Sequence, residues 1–310
     1  MSIRNQNLLQ VSQELITLRD YIRWAFSRFN ASNLYFGHGT NNAWDEAINL
    51  VLSALHLPPD ASPDLLNARL TQVECQEVTG LIIRRIEERI PAAYLTNEAW
   101  FAGMPFFVDD RVIIPRSPIA ELIEQGFSPW LTHQEANYIL DLCTGSGCIA
   151  IACATEFPDA EVDAVDISKE ALEVAEINVK KHFVASQVQL IQGDLYDKIS
   201  RKYNLIVSNP PYVSSEEYNT LPSEYHHEPE VALKAEDSGL AIVKRILQGA
   251  TQHLLPEGIL VVEVGNSQEA LIETYPEVPF LWLEFEKGGE GVFLLTAEQL
   301  KEFENLFKDE

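Results

Sequence analysis

Two segments of the 310-residue chain carry side chains whose types and spacing could do chemistry: "ILDLCTGSGCIAIA", Ile139 to Ala152, and "SNPPYV", Ser208 to Val213. In the first, an apolar run meets Gly145 and Gly147 and then a helix-forming stretch. Glycines let a backbone turn sharply and approach a ligand closely. With Ala150 they fit the G-x-G-x-x-A spacing of dinucleotide sites, a pattern that ligand-free turns also show. Asp166 closes "AVDIS" about twenty residues further on, where a carboxylate can accept both ribose hydroxyls; Ser168 is the better-placed cap for the helix that follows. Asp194 in "QGDLY" ends a third such run. It could accept a bond from an adenine amino group, with Leu195 packing on the base, or be an ordinary turn residue. All three lie at carboxyl ends of successive predicted strands, where open α/β sheets bind ligands. They suit an adenosine with something small beyond it, which nicotinamide cofactors and S-adenosylmethionine both provide.

The second segment separates those two. Neither proline in "SNPPYV" has an N–H for a sheet ladder, so the strand "YNLIV" stops and a rigid turn begins. Asn209 offers a side-chain carbonyl and Pro210 a backbone carbonyl. Two converging acceptors suit a planar NH₂ group with two protons to give. Tyr212 can lie flat against that group, and its ring favours a nearby sulfonium. An amide nitrogen is a poor nucleophile because its lone pair is delocalised, so catalysis here would be positioning and electrostatics rather than a strong base. A hydride-transferring dehydrogenase has no need of this turn.

The elements that must hold these residues follow from periodicity. "LLQVSQELITLRDYIRWAFSRF", "NNAWDEAINLVLSALHL" and "CQEVTGLIIRRIEERI" space apolar residues as helices do. "SPDLLNARL" has Ser62 as a cap and Pro63 at the first helical position. These predict a helical domain over residues 1–96. "AWFAGMPFFVDDRVIIPRSP" alternates aromatic and β-branched residues with a break at Asp109 and Asp110, which predicts a hairpin bridge over 97–116 turning there. From 117 to 310 strand-like and helix-like runs alternate, which predicts a parallel sheet with helices on both faces. "FLWLEFEKGGEGVFLLT" reads as an antiparallel hairpin at one sheet edge. The expected fold is thus a Rossmann-like α/β sheet with an antiparallel C-terminal hairpin, preceded by a small helical domain. The tail "KEFENLFKDE" is expected to be a solvated amphipathic helix end.

Composition narrows the partners. A net charge of -25 opposes non-specific binding to a polyanion and points to a basic partner, or simply to solubility. A chain that is 46% hydrophobic can fill a large core, yet no stretch approaches the roughly 20 apolar residues that span a bilayer. Cys75, Cys143, Cys148 and Cys153 lack the paired spacing of a zinc site and are expected as reduced, buried thiols. With no apolar signal-peptide core in "MSIRNQNLLQ", the reading is a cytoplasmic protein with no metal and no membrane or nucleic-acid partner.

With these motifs in place, the chain resembles the class I S-adenosylmethionine-dependent methyltransferases that modify the side-chain amide nitrogen of protein glutamine, over nearly its whole length. The resemblance implies that the loop Asp141, Cys143, Thr144, Gly145, Ser146 and Gly147 holds S-adenosylmethionine, with Cys143 standing where release-factor enzymes usually carry Gly. It further implies Asp166 at the ribose, Asp194 and Leu195 at the adenine, and Asn209, Pro210, Pro211 and Tyr212 at the glutamine, Asn209 also bordering the cofactor. "HEPEVALKAEDSGL", with Glu228 and Pro229, is similar to a substrate-side loop of the family. Where release-factor enzymes usually read "IPRPETE", this chain reads "IIPRSPIAELI", preceded by "YLTNEAWFAG". Those residues resemble the branch that methylates large-subunit ribosomal protein L-three. Release-factor glutamine methylation is the nearest alternative and DNA adenine methylation a further one, the latter opposed by the charge. A cofactor-binding adaptor is the non-enzyme reading. Arg116 could meet a cofactor or substrate carbonyl or a local acid, His226 and His227 read as a solvated loop, and Glu263 could cap a helix or line the pocket.

Overall fold

The structure, a computed structural model, describes residues 11, 14–131 and 136–308. By compactness it divides into a helical unit, the residues up to Ala99 together with Pro222–His227, and a second unit made of Trp100–Leu221 and the chain from Glu228 onward.

In the helical unit, α1 (Leu18–Ala31), α2 (Ala43–Ala54) and α3 (Gln72–Glu87) bury one face each around Tyr21, Phe29, Leu50 and Ile82. Their starts are set chemically. Thr17 and Asp20 form a reciprocal capping box, Asn42 accepts from Trp44 and Asp45, and Thr71 and Glu74 form a second box. The first box starts a helix at Leu18, inside the first predicted run; Val11 and Glu14 of that run are also helical, and its residues 8–10, 12 and 13 lie outside the described ones. Ser62 and Pro63 do open a helix, but only a single 3₁₀ turn, Pro63–Asn67. A short helix, α4 (Ala92–Thr96), follows Pro91 and carries no periodic signal.

The unit's interior holds an ionic cluster. Arg85 Nε donates to Glu46 at 2.7 Å, its Nη1 to Glu224 at 3.2 Å and its Nη2 to the Tyr35 carbonyl at 2.7 Å. Arg85, Glu46 and Glu224 are all buried. Burial pushes the Glu46 carboxyl up while Arg85 pulls it back.

The hairpin of β1 (Glu98–Phe101) and β2 (Met104–Phe107) turns at Ala102 and Gly103, not at the acidic pair. Both turn residues have positive φ (46° and 71°), as a two-residue hairpin turn requires. Asp109 instead accepts a bidentate bond from Arg111.

The second unit is built on a seven-stranded sheet of order β5-β4-β3-β6-β7-β9-β8. Its strands are β3 (Tyr138–Leu142), β4 (Glu161–Asp166), β5 (Val188–Gln192), β6 (Tyr203–Ser208), β7 (Leu254–Glu263), β8 (Leu281–Trp282) and β9 (Val292–Thr296). The first five are parallel, while β9 runs antiparallel to β7 and β8 to β9. Side chains alternate between two cores. Ile139, Val162, Leu205 and Val261 pack on one face with α5 (Ile119–Glu124) and α6 (Cys148–Glu156). Leu140, Val165, Ile206 and Leu260 pack on the other with α8 (Ala241–His253). Burial on both faces explains why these strands read as continuous apolar runs. The C-terminal tail is amphipathic: Lys301, Glu302, Asn305, Leu306 and Lys308 are exposed, while Phe307 is buried with its ring edge-on to Tyr275 at 5.3 Å. Among the described residues, no helix is long and apolar enough to cross a membrane.

The ionic cluster gives a contrast in stability. Arg85→Ala should cost about 3–5 kcal/mol, because two buried carboxylates lose their partner. Lys180→Ala, which removes an exposed pair with Glu176, should cost about 0.2–0.5 kcal/mol. Denaturant unfolding of both variants checks this; equal costs would remove the cluster's structural weight.

Candidate active site

Strand order creates the site. The chain runs outward from β3 to β4 and β5, then returns to place β6 on the other side of β3. Such a reversal leaves a crevice at the strands' carboxyl ends. Leu142 at the end of β3 is the register partner of Ser208 at the end of β6, and Ser208 Oγ donates to the Leu142 carbonyl at 2.7 Å. The glycine turn and the proline turn are thereby adjacent. A cleft of about 200 Å³ opens over them, lined by Cys143, Gly145, Asp166, Asp194, Leu195, Asn209 and Pro211, among others.

The glycine turn is held from below. Asp141 is fully buried, with Oδ2 accepting from Thr144 Oγ1 at 2.5 Å and from the Ala150 N–H at 3.1 Å. Its Oδ1 has no hydrogen-bond partner. Burial pushes this carboxyl up to about 7. Gly145 sits at φ +55, and a Cβ there would meet only Ile113 Cγ2 at 3.9 Å, so conformation rather than crowding selects glycine. Cys143 adopts the same left-handed region at φ 59 although it has a side chain. Asp141, Thr144, Ser146 and Gly147 thus shape the turn that presents Cys143 and Gly145 to the cleft.

Asp166 ends β4 at the cleft wall. Its Oδ2 accepts from the Gly145 N–H and its Oδ1 from the Ser168 N–H, both at 2.8 Å. Each oxygen keeps a lone pair, which is the acceptor chemistry two vicinal ribose hydroxyls need. Ser168 caps α7 (Lys169–Lys181), accepting from Ala171. Burial raises the Asp166 carboxyl, and the two N–H bonds offset part of that. Asp194 is less free than the sequence suggests. Arg245 of α8 holds its Oδ2 at 2.9 Å, both side chains being well exposed. An exposed pair of this kind contributes only about 0–1 kcal/mol, so it competes weakly for a ligand. Leu195 supplies an apolar wall at φ 50. A carboxylate with spare acceptors, an apolar wall and a bare glycine backbone can hold the adenosine end of S-adenosylmethionine.

At the proline turn, Pro210 is buried and Asn209 is half-buried. The Asn209 amide lines the cleft and bonds to no described residue, leaving its carbonyl available. Tyr212 is clamped beyond the cleft. Its hydroxyl donates to Glu263 Oε1 at 2.9 Å, and its carbonyl accepts from Ser267 Oγ at 2.9 Å. The next residue, Val213, pairs with the segment Leu233–Ala235, folding the "HEPEVALK" stretch back over the turn. That stretch lines the cleft through Val231, Ala232 and Lys234.

Three contributors are not resolved by sequence. Arg116 meets a local acid: its Nη1 and Nη2 donate to the two oxygens of buried Glu228, at 2.6 and 2.8 Å. Glu228 also accepts from the Ile114 N–H at 2.9 Å. Glu263 neither caps a helix nor lines the cleft; it is buried between Tyr212 and Ser117. Asn178 of α7, also buried, donates to the Ser146 and Phe107 carbonyls and accepts from the Phe107 N–H, tying the glycine turn to the hairpin. His227, of the predicted solvated pair, contacts the Glu88 carbonyl through Nε2 within the helical unit, while His226 is exposed.

The comparisons with known proteins agree with this architecture. Residues 126–224 match the family described as "Methyltransferase small domain". A methyltransferase from Pyrococcus furiosus superposes with a TM-score of 0.46 at 17% identity, over 63% of this chain and 89% of that one. The sheet order is that of a Rossmann-like α/β methyltransferase fold. The ribosomal protein uL3 glutamine methyltransferase of Francisella tularensis subsp. tularensis is 48% identical over 98% of this chain and 97% of its own. That of Neisseria gonorrhoeae is 51% identical over 94% and 98%. The chain belongs to the family of uL3 glutamine methyltransferases.

Asp141 makes stability depend on pH. An aspartate carboxyl ordinarily titrates at 3.8, and in this fold it is pushed up to about 7. The folded protein therefore holds a proton the unfolded chain has released, and that stabilisation is lost as pH rises from 3.8 through about 7. Asp141→Asn should gain stability relative to the parent over that span. Thermal unfolding between pH 4 and 8 checks it; a pH-independent difference would contradict the raised value.

Proposed function

We propose that this chain transfers a methyl group from S-adenosylmethionine to the side-chain amide nitrogen of a glutamine in ribosomal protein uL3. The observation that carries this reading is the uncommitted Asn209 amide at the end of β6, across the crevice from the glycine turn. Bound S-adenosylmethionine supplies an electrophilic sulfonium methyl. Asn209 Oδ1 and the Pro210 carbonyl accept the two N–H bonds of the incoming amide and fix its plane. Those acceptors push density onto nitrogen and aim its lone pair along the line of displacement. The nitrogen would gain the methyl carbon as the carbon's bond to sulfur breaks and the electron pair stays on a neutral thioether, and one nitrogen proton would then leave to solvent. Asp166 anchors the ribose hydroxyls, while Asp194 and Leu195 flank the base. No side chain acts as a strong base, consistent with a neutral Asn at the reacting atom.

The helical unit recognises the protein substrate and contributes little to the chemistry. The charge of -25 attracts a cationic, RNA-binding partner before it is buried in a ribosome, where phosphates would repel this chain. Such a division is consistent with a protein that works in the cytoplasm on newly made substrate.

Two measurements test these assignments. Asp166→Ala should weaken S-adenosylmethionine binding by about 1.5–3 kcal/mol through lost charge-assisted bonds, read by calorimetry; unchanged affinity would remove Asp166 from the site. Purified protein should methylate free uL3 in preference to intact large subunits and to a peptide-chain release factor, at a rate that falls as salt is added. Mass spectrometry locating the mark on the release factor alone would move the assignment to that substrate.

A further inference from the structure

We propose that Glu263, locked by Ser117, is a positioning residue that sets the orientation and electron density of the Tyr212 ring during methyl transfer. The inference rests on the reading of the Asn209–Tyr212 turn as the amide site. It goes beyond that reading by assigning roles to two residues outside the turn.

Glu263 is the last residue of β7, next to β6 in the sheet. The parallel pairing of these two strands sets it beside the proline turn, with Ser208 opposite Val262. Its carboxylate is buried and uses both oxygens on hydroxyl donors. Oε1 accepts from Tyr212 Oη at 2.9 Å and Oε2 from Ser117 Oγ at 2.5 Å. Ser117 Oγ in turn accepts from the Ile119 N–H at 3.2 Å, which fixes the serine rotamer and points its proton at the carboxylate. The charge of Arg116 lies close enough to favour the ionised form, against the cost of burial. A carboxylate in this position is expensive, and two neutral hydroxyls would hold a neutral amide about as well. The residue type therefore calls for an explanation beyond packing.

The ring's other boundary points the same way. Gly265 lies two residues beyond Glu263 at φ +45, and a Cβ there would stand 2.5 Å from Tyr212 Cε2. The backbone has been cleared so that the ring can lie against it. Gly239 leaves comparable room for the Tyr212 carbonyl, where a Cβ would fall at 2.1 Å. Hydroxyl, ring edge and carbonyl are thus all held by the stretch from Glu263 to Ser267, with Gly239 leaving room on the carbonyl's other side. A phenol that donates to a carboxylate also carries more electron density on its ring than one that donates to water. That strengthens the attraction of the ring face for a cationic sulfonium and for the polarised amide. Glu263 acts through Tyr212 in both respects and touches neither substrate nor cofactor.

The test compares Tyr212→Phe, Glu263→Gln, their double variant, Ser117→Ala and Gly265→Ala in the full-length protein. Glu263→Gln preserves volume and an acceptor oxygen while removing the charge. Labelling tyrosines with ¹³C at Cζ, and assigning Tyr212 by its loss in Tyr212→Phe, reports the contact without any turnover. We expect the Tyr212 resonance to move in Glu263→Gln and, less, in Ser117→Ala. In methylation of uL3, Glu263→Gln should lower kcat by roughly 10–100-fold, with KM for uL3 and S-adenosylmethionine affinity little changed. The same substitution made on Tyr212→Phe should have almost no further effect on kcat. Gly265→Ala should reproduce the kcat loss by displacing the ring. An unmoved Tyr212 resonance, or an equal kcat loss from Glu263→Gln in both backgrounds, would overturn the proposal. Should the parent protein fail to methylate uL3, the reading of the turn falls, while the resonance still decides whether Glu263 governs Tyr212.

Discussion

The chain returns from β5 to the far side of β3, and the pairing of Leu142 with Ser208 fixes where β6 ends. Every functional contact depends on that register. A parallel pair shifted by one residue would turn Asn209 from the cleft toward the opposite face, since side chains alternate along a strand. The buried Ser208–Leu142 bond and the apolar runs on both sheet faces hold the register. The two prolines then forbid the strand to continue, so the amide is delivered at one height above the glycine turn.

Around this crevice the protein places a row of carboxylates, each with different partners. Asp141 holds the glycine turn from beneath, and Asp166 takes two backbone N–H groups at the cleft wall. Glu228 receives a bidentate Arg116, and Glu263 receives two hydroxyls. Burial raises Asp141, Asp166 and Glu263, and it is the partners that decide how much charge survives. A cationic cofactor and a neutral nucleophile are well served by such an environment. On the proposed reading, negative charge near the sulfonium favours binding, while the reacting amide meets only neutral acceptors.

Sequence alone reveals those parts of the candidate site that are fixed by local backbone chemistry. Gly145, Asp166 and the Asn209–Tyr212 turn announce themselves because glycine conformations, strand ends and prolines have local causes. The supports do not. Glu263 looks the same in sequence whether it caps a helix or lies buried between Tyr212 and Ser117. Asn178 reads as one more polar position of an amphipathic helix, yet it ties the hairpin to the glycine turn. Asp109 and Asp110 read as the hairpin's turn because acidic pairs often turn, whereas Ala102 and Gly103 supply the positive φ angles. Phe307 packs on Tyr275 across a span that no periodic pattern encodes. Nor does any local signal show that Pro222–His227 belongs with the helical unit, since Glu224 gains its buried partner Arg85 only through the tertiary fold.

The central claim is that Asn209 and Pro210 grip the amide that is methylated. A crystal structure of the protein with S-adenosylhomocysteine and a glutamine-containing uL3 peptide addresses it most directly. The account predicts the glutamine amide nitrogen within about 3.2 Å of both Asn209 Oδ1 and the Pro210 carbonyl oxygen, with the Tyr212 ring against the amide plane. A glutamine side chain seated elsewhere, or an Asn209 that turns from it to bind the cofactor alone, would contradict the account.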